Sequence, residues 1–505
     1  NNINVLGEIM RGSGVLLNIS SLPSEFGIGG FGEETIRFAE FLKRGDCKWW
    51  QVLPMTTIGL GESPYSGVSA FAGNYLYIDP IMLRDRGYLT YEECESLKYH
   101  GSPYVVDYGF CYYEKRRAVQ MAYNHILDTN TDVLYKFVNE ERDWLMDYAI
   151  YMALKDLHEG KPWFEWEEKY KTHDHEAIGE FMNIHSREVG YYICEQYLFS
   201  EQWNERKAQI NEMGIGIIGD MPIYVSYDSA DVWANPNYFD LDKDFKPNKV
   251  AGVPPDYFCA EGQLWGNPLY DYDAMRKDEF RWFLLRIERM FKLYDKLRID
   301  HFRAFDRYWA VEYGAPNAIN GEWCKGIGRE LFAIVRHKFP KADIIAEDLG
   351  VIDDGVIELR ERTGFPGMRV LQFAFDSEVS PHMPHNYPKN CVAYTGTHDN
   401  TTIYGWLASL GSDARAKLYD YLGQYGELEG GENSRLVWAC IRTMLLSVAD
   451  IVIIPFQDLA GWGEDTRMNI PGKAEGNWRP RVTYDAIDRI RIDRFRRYNY
   501  LSNRN

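Results

Sequence analysis

Eight short apolar runs, separated by segments with helical periodicity, constrain the fold of this 505-residue chain more than any other feature of its sequence. Near-continuous apolar runs are typical of parallel strands that are buried on both faces. The segments between most of them, such as 33–45, 278–294 and 326–339, have the spacing of amphipathic helices. This alternation predicts the α/β class and a closed (β/α)8 TIM barrel. The eight runs begin at Gly14, Trp49, Ile215, Lys296, Ala342, Met368, Cys391 and Asp450.

The runs are unevenly spaced, which predicts large insertions in a single barrel domain over residues 1–505. We expect a mostly helical inserted subdomain at 56–210, between the second and third strands, and another with a lid loop at 223–277, between the third and fourth. Both follow the carboxyl ends of strands, so they should form the walls of a cleft on the C-terminal face. Fewer than fifty residues follow the eighth strand, so we expect no C-terminal β-sandwich domain.

The composition favours a neutral ligand. A formal net charge of -19 argues against nucleic acid as a partner, because nucleic-acid binding depends on an excess of Lys and Arg. Aromatic residues make up 15% of the chain, and their flat rings are suited to stacking on sugars. The eight cysteines form no Cys-x-x-Cys motif, and the chain has neither an apolar run of membrane-spanning length nor a signal-peptide pattern. We therefore expect free thiols, no membrane association and a cytoplasmic location.

Acidic residues lie at the carboxyl ends of five of the predicted strands. Barrel enzymes build their active sites on this face, so these acids are candidates for catalysis. At any one position the acid could instead cap the helix that follows. The five acids are Asp220, Asp300, Glu347, Asp399 and Asp458.

The stretch LRIDHFRAFDR, residues 297–307, places charges in an otherwise apolar strand. Residues two apart share one face of a strand, so Arg298 and Asp300 should project together and form an ion pair. Such a pair is either a structural salt bridge at the end of a strand or part of a functional site. These residues alone leave both interpretations open.

Carboxylates around one cleft suit either a divalent metal or glycosidic chemistry. A metal would need additional close ligands. Arg298 and Arg303 would compete with a cation for Asp300, so we expect no metal. The candidate additional ligands are His301, His398, His173 and His175.

Glycosidic chemistry accounts for more of these residues. A nucleophile must be ionised, and Arg298 beside Asp300 should lower the pKa of that carboxyl group. The apolar run before Glu347 should keep its proton near neutral pH, as a general acid requires. Asp399, beside His398, could hold ring hydroxyls as the sugar approaches an oxocarbenium ion. A retaining route predicts that the two working carboxyl groups lie about 5 to 5.5 Å apart.

Seven long motifs in the same order closely resemble those of the amylomaltases, also called disproportionating enzymes or 4-alpha-glucanotransferases. They extend from about Gly12 to Arg481. The resemblance implies a retaining α-glucan transferase on a (β/α)8 barrel that is related to the α-amylases but lacks their C-terminal sandwich. The motifs are SPYSGVSAFAGN, GDMPIYVSYDSADVW, GVPPDYFCAEGQLWGNPLY, RIDHFRAFDRYW, IIAEDLG, YTGTHDNTT and RMNIPGKAEGNWRPR.

The resemblance also implies roles for individual residues. Asp300 matches the family's nucleophile, Glu347 its general acid/base and Asp399 its transition-state-stabilising aspartate. The stretch 252–270 resembles a flexible lid. The implied reaction transfers an α-1,4-glucan segment through a covalent glucosyl-enzyme to the 4-hydroxyl of glucose or another glucan, without a cofactor. Substrate-binding roles are implied for Arg298, His301, His398, Asp220, Tyr65, Gln263, Trp265, Asn469 and Pro471.

The chain departs from the family pattern at a few positions. Ala304 stands where glycine is common, Cys259 stands where the lid usually has serine, and Gly67 and Tyr75 vary the first motif. None of these is a proposed catalytic residue, so the departures bear on chain-length preference and on the lid.

Three other functions are consistent with parts of the sequence. An α-amylase-type hydrolase would use the same carboxylates with water as the acceptor. A catalytically silent glucan-binding protein would lack one of the three carboxylates, and all three are present. GIGGFG, residues 27–32, matches a dinucleotide-binding fingerprint, but SSLPSEF separates it from the first strand and no acid follows about twenty residues later at a strand end.

Overall fold

The structure, a computed structural model, describes residues 11–256, 259–375, 379–423 and 432–505. Parallel strands β1, β2, β3, β6, β9, β10, β11 and β12 close into an eight-stranded barrel, with β12 paired to β1. Each of the eight predicted runs overlaps one of these strands, so the (β/α)8 prediction is confirmed. The strands in chain order are β1 (Gly12–Leu16), β2 (Trp49–Gln51), β3 (Gly216–Met221), β4 (Lys249–Val253), β5 (Gln263–Pro268), β6 (Lys296–Ile299), β7 (Arg307–Glu312), β8 (Gly321–Lys325), β9 (Ile344–Ala346), β10 (Gly367–Val370), β11 (Cys391–Tyr394) and β12 (Ile451–Pro455).

Helices surround the barrel, and α1 shows why. Its apolar side buries Phe38 and Phe41, and the Phe38 ring contacts Trp50 of β2 at 4.8 Å between centroids. Acidic residues begin this helix and Lys43 and Arg44 end it, which is the charge order that a helix dipole favours. The helices are α1 (Glu33–Arg44), α2 (Pro80–Asp85), α3 (Tyr91–Glu95), α4 (Tyr108–Thr129), α5 (Asp132–Glu140), α6 (Leu145–Leu157), α7 (Glu168–Lys171), α8 (His175–Ile184), α9 (Ser186–Glu212), α10 (Ala230–Ala234), α11 (Tyr272–Lys277), α12 (Arg281–Leu293), α13 (Gly328–Lys338), α14 (Asp354–Thr363), α15 (Ile403–Ser409), α16 (Ser412–Leu422), α17 (Glu432–Leu446), α18 (Phe456–Ala460), α19 (Tyr484–Asp488) and α20 (Ile492–Leu501).

The segment between β2 and β3 is mostly helical and contains α2 to α9. In the described residues, no helix has both the length and the apolar character needed to cross a lipid bilayer. The division of the chain into one barrel domain with inserted subdomains over 56–210 and 223–277 stays a prediction.

A second sheet, which the sequence analysis did not foresee, lies beside the barrel. Its four strands are antiparallel and lie in the order β5-β4-β7-β8. Two of them belong to the predicted lid region, and the other two follow barrel strand β6. The sheet therefore connects the candidate lid to the segment directly after Asp300.

The β6 strand explains why its sequence mixes charged and apolar residues. Leu297 and Ile299 pack in the main core with Ile287 and Met290 of α12. Arg298 lies on the opposite face, paired in register with Asp220 of β3. The barrel interior next to it is apolar and includes Ile218, Ile345, Val370, Tyr394 and Ile453. The alternation of a strand thus directs the charged residues into the barrel.

Candidate active site

Arg298 connects two carboxylates at the mouth of the barrel. Its Nη1 donates to both oxygens of Asp220, at 2.8 and 2.7 Å, and its Nη2 lies 3.0 Å from Oδ1 of Asp300. Arg298 and Asp220 are almost fully buried, whereas the side chain of Asp300 is 30% exposed. Burial raises the pKa of Asp220, and the charge of Arg298 opposes that rise. Asp300 is therefore the member of this group that a ligand in the cleft can reach.

Tyr65 joins the same group from the insertion that follows β2. Its hydroxyl donates to Oδ2 of Asp220 at 2.8 Å, and burial raises the pKa of this phenol well above its ordinary value. Its ring stacks on His398, with centroids 5.2 Å apart and an interplanar angle of 14°. Trp478 lies against both rings, at 5.8 and 6.0 Å. The stack holds Tyr65 and His398 in fixed orientations beside the carboxylates.

Glu347 follows β9, the neighbour of β6 in the barrel. Backbone N–H groups hold both carboxyl oxygens: His301 donates to Oε2 and Leu349 to Oε1, each at 2.7 Å. Burial, and then the negative charge of Asp300, raise the pKa of Glu347 to about 7, against the opposing effects of Arg298 and the two N–H groups. Glu347 can therefore hold or release a proton near neutral pH.

His301 has a left-handed backbone conformation, with φ 51°. This conformation is uncommon for a residue other than glycine and costs free energy. In this conformation the N–H of His301 donates to Glu347. Burial lowers the pKa of the imidazole to about 4, so the ring is neutral at neutral pH. The edge of Trp265 meets this ring at a centroid distance of 4.7 Å.

Asp399 lies beyond β11 and presents a carboxylate that is 45% exposed. Asn469 Nδ2 donates to its Oδ1 at 2.6 Å, and His398 Nε2 lies 3.3 Å from the same oxygen. Arg467 Nη2 donates to the backbone carbonyl of Asp399 at 2.6 Å. These contacts fix the carboxylate from one side and leave its other oxygen towards solvent.

Two other predicted binding residues lie in the β4–β5 hairpin. Trp265 and Gln263 are exposed, and Trp265 Nε1 donates to Gln263 Oε1 at 3.2 Å. Pro471 is also exposed, in the segment 470–477, where Asn477 accepts from Ile470 N. An added Cβ at Gly61 would lie 2.5 Å from the carbonyl oxygen of Ala474, so that segment lies directly beside the loop that precedes Tyr65.

The structure brings together most of the predicted site residues. Contacts connect Tyr65, Asp220, Arg298, Asp300, His301, Glu347, Trp265, Gln263, His398, Asp399 and Asn469. Asp458, the fifth strand-end acid, instead accepts from Thr395 Oγ1 and from Ile403 N. His173 stacks on Trp233, and no group of three metal-ligating side chains in the described parts of the chain could hold a metal ion.

Sequence reasoning missed Arg467 and Trp478. Both lie in the last motif, RMNIPGKAEGNWRPR, from which only Asn469 and Pro471 were assigned roles. Arg467 and Trp478 are neither general acids nor nucleophiles. Each acts by holding another side chain or backbone group. Only the three-dimensional contacts reveal such roles.

The arrangement combines one exposed, ion-paired carboxylate with one buried carboxyl group that can be protonated near neutral pH. These are the properties that distinguish the nucleophile from the general acid in two-carboxylate glycosidic chemistry. A third carboxylate and several fixed hydrogen-bonding groups surround them, as the hydroxyls of a sugar ring require. Exposed aromatic rings at the rim could stack on further sugar units.

Comparisons with known proteins agree with this chemistry. A family model described as 4-alpha-glucanotransferase matches residues 17–486. A 4-alpha-glucanotransferase of Aquifex aeolicus is 44% identical over 478 residues, which cover 94% of this chain and 96% of the relative. One of Thermus thermophilus is 41% identical over 479 residues, with 93% and 94% covered. Among solved structures, the amylomaltase of Streptococcus agalactiae in complex with acarbose has a TM-score of 0.94 at 38% identity, with 98% of this chain and 99% of that chain covered.

Proposed function

The chain belongs to the 4-alpha-glucanotransferase family, and on that premise we propose that Asp300, Glu347 and Asp399 carry out its reaction. The enzyme transfers a segment of an α-1,4-glucan to an acceptor glucan or glucose. One observation supports the assignment most: Asp300 and Glu347 follow adjacent strands and differ in environment. Arg298 pairs with the first, while burial raises the pKa of the second to about 7.

In the first step, a carboxylate oxygen of Asp300 attacks the anomeric carbon of the donor sugar. The bond between this carbon and the bridging oxygen breaks, and the protonated Glu347 gives its proton to that oxygen. The products are the shortened glucan with a free 4-hydroxyl and a covalent glucosyl ester of Asp300. Glu347 is left as a carboxylate.

In the second step, the 4-hydroxyl of an acceptor takes the place of the departed glucan. The Glu347 carboxylate removes the proton of this hydroxyl, and the oxygen attacks the anomeric carbon and displaces Asp300. Two displacements at one carbon retain the α configuration. A retaining route predicts carboxyl groups of Asp300 and Glu347 about 5 to 5.5 Å apart.

The other site residues bind and orient the sugar. We assign Asp399 and His398 to ring hydroxyls, because the exposed carboxylate oxygen can accept a hydrogen bond and the fixed imidazole lies beside it. Hydrogen bonds of this kind strengthen as positive charge develops on the ring. Tyr65 and Asp220 act mainly on Arg298 and on the ring stack. Asn469 orients Asp399.

Transfer in place of hydrolysis requires that an acceptor outcompetes water. Trp265 and Gln263 lie on the β4–β5 hairpin, and Trp265 contacts His301 next to Asp300. We assign this hairpin to a lid that covers the glucosyl ester and excludes water while the acceptor binds. Pro471 is assigned to the acceptor side.

We also propose maltodextrin or starch as the working substrate and the cytoplasm as the location. The eight cysteines are all free thiols, which suits a reducing compartment. The net charge of -19 supports a neutral polymer as the ligand and argues against nucleic acid.

Incubation with maltotriose tests the function. We expect glucose and longer oligomers to appear while the number of reducing ends stays constant, since each bond broken is replaced by another. Reducing ends that rise in step with bond cleavage would identify a hydrolase. Asp300→Asn should abolish turnover and leave maltotriose binding in place, and a fully active variant would contradict the nucleophile assignment.

A further inference from the structure

A second pocket, separate from the candidate active site, lies between α6, α10 and α12. Its volume is about 310 Å³. Since a water occupies about 30 Å³ of liquid, this space is large enough for a hexose ring with its hydroxyls. Exposed Arg142, Asp143 and Arg281 line it, so the pocket opens to solvent. We call it the Asp147 pocket, after the carboxylate described next.

Asp147 lines this pocket and is partly buried. Burial raises its pKa to about 6. No side-chain or backbone donor in the described parts of the chain bonds to it, and no cation pairs with it. A partly buried carboxylate that has no protein donor loses part of its hydration without compensation. Its presence here is explained if a ligand supplies the donor.

The rest of the lining is chemically mixed in the way that a sugar site requires. Trp144 and Trp282 form part of the wall, each packed against Phe71. The amide of Asn235 and the guanidinium of Arg142 add hydrogen-bonding groups. An apolar wall beside donors and acceptors suits the apolar face and the hydroxyls of a pyranose.

Charge and coordination argue against other ligands. Asp143 is already paired with Arg281 at 3.0 Å, and Asp231 accepts from Ala70 N at 2.8 Å. In the described residues, no set of three metal-ligating groups has the geometry for a metal ion. Arg142 and Arg281 disfavour a free cation, and Asp147 disfavours an anion. A neutral polyol satisfies all of these groups.

We propose that the Asp147 pocket binds a glucose unit of an α-glucan, outside the candidate active site. The ligand class rests on the proposed function, because the enzyme acts on α-glucans. Ser69 and Phe71 of the pocket wall belong to the same segment as Tyr65. A long substrate could therefore be held by the insertion while its end reacts.

Binding of maltohexaose to the full chain carrying Asp300→Asn tests the proposal. We expect sugar density in the Asp147 pocket of soaked crystals and a second, weaker phase in calorimetric titration. Asp147→Ala in the same background should weaken that phase at least tenfold. Asp128→Ala, which changes an exposed carboxylate on α4 outside the pocket, is the matched control and should leave both phases unchanged.

An empty pocket in those crystals, or the same titration with and without Asp147→Ala, would overturn the proposal. Failure of the proposed function would give a different result. If Asp300 is not the nucleophile, the Asp300→Asn variant would still convert maltohexaose, whereas binding in the Asp147 pocket is read directly from the sugar density. Thermal unfolding tests whether the Asp147→Ala variant is folded. The variant should melt at the same temperature as its parent or higher, because the substitution removes a carboxylate without a partner. A fall of several degrees would show that Asp147 has a structural role and would also overturn the inference.

Discussion

The backbone N–H of His301 donates a hydrogen bond of 2.7 Å to Oε2 of Glu347, so the residue directly after Asp300 holds the other proposed working carboxyl group. His301 makes this hydrogen bond from a left-handed backbone conformation, with φ 51°. The same stretch of chain therefore fixes the nucleophile and the acid relative to each other. It does so through backbone atoms, which position a side chain more rigidly than a flexible partner could.

The pKa of Glu347, raised to about 7 chiefly by burial, predicts the pH dependence of the reaction. The first step needs protonated Glu347, so kcat/KM for maltotriose should fall as pH rises through about 7, approaching tenfold per unit at higher pH. Initial rates between pH 5 and 9 measure this. Trp265→Ala should keep the same midpoint, because Trp265 is uncharged and the hydrogen bonds to Glu347 come from His301 and Leu349. A constant kcat/KM between pH 6 and 9 would contradict the role of Glu347.

Glu347→Gln distinguishes an acid from a nucleophile. With maltotriose the rate should fall by about 10² to 10⁴, the usual contribution of general acid catalysis. A maltotriosyl fluoride donor has a leaving group that needs no proton, so the first step should recover and a maltotriosyl ester of Asp300 should accumulate. Intact-mass spectrometry detects this adduct. The paired control, Asp300→Asn, should form no adduct with either donor, and an adduct on it would reassign the nucleophile.

Much of the barrel and of the site could be predicted from the sequence, because the relevant signals are local. Each barrel strand is a short apolar run that needs no knowledge of its neighbours. Asp300 and Glu347 follow such runs directly, and the alternation within 297–300 already placed Arg298 and Asp300 on one face. The closed barrel then determined that these strand ends would meet.

The small antiparallel sheet could not be predicted, because its signals are not local. The exposed strand β5 pairs with β4, and β4 pairs with β7, which lies beyond a whole barrel strand in the sequence. A strand with Gly and Pro and little burial, such as Gln263–Pro268, is recognisable only once its partner is known. The contact of Arg467 with Asp399 joins residues 68 positions apart and was hidden for the same reason.

Arg298→Met should destabilise the fold as well as abolish activity. Asp220 is 1% exposed and would lose its cation, and breaking a buried pair in this way costs about 3 to 5 kcal/mol. Denaturant unfolding of the full chain measures the loss. Adding Asp220→Asn removes the stranded charge, so the double variant should regain much of the stability yet stay inactive. Equal stability of the single and double variants would show that the two side chains are not coupled.

Trp265→Ala should change the fate of the glucosyl ester more than its formation. The ring is 38% exposed and contacts His301 edge-on, so little folding stability depends on it. Without it, water should reach the ester more easily, and the ratio of hydrolysis to transfer with maltotriose should rise several-fold. Reducing ends and oligomer products, quantified together, give this ratio. Tyr135→Ala, an exposed aromatic outside the site, should not alter it. An unchanged ratio for Trp265→Ala would remove the hairpin from the proposed lid.

Arg504 closes the opposite end of the barrel from the site. Its guanidinium donates to the backbone carbonyls of Leu445, Gly12, Asp450, Ser447 and Ala449, at 2.7 to 3.2 Å. Gly12 begins β1 and Asp450 precedes β12, so one side chain joins the strands at which the barrel closes.

Arg504→Met should therefore lower the free energy of unfolding by on the order of 3 kcal/mol, because it removes these hydrogen bonds and takes the Arg504 donor from the buried carbonyl oxygens of Leu445 and Ala449. Transfer activity well below the melting temperature should stay within about twofold, since the amino ends of the strands are remote from Asp300 and Glu347. Differential scanning calorimetry and the maltotriose assay measure the two effects separately. Arg497→Met makes the same change on the exposed side of α20 and should leave the melting temperature in place. If both variants melt like the parent, the carbonyl contacts of Arg504 do not hold the barrel closed.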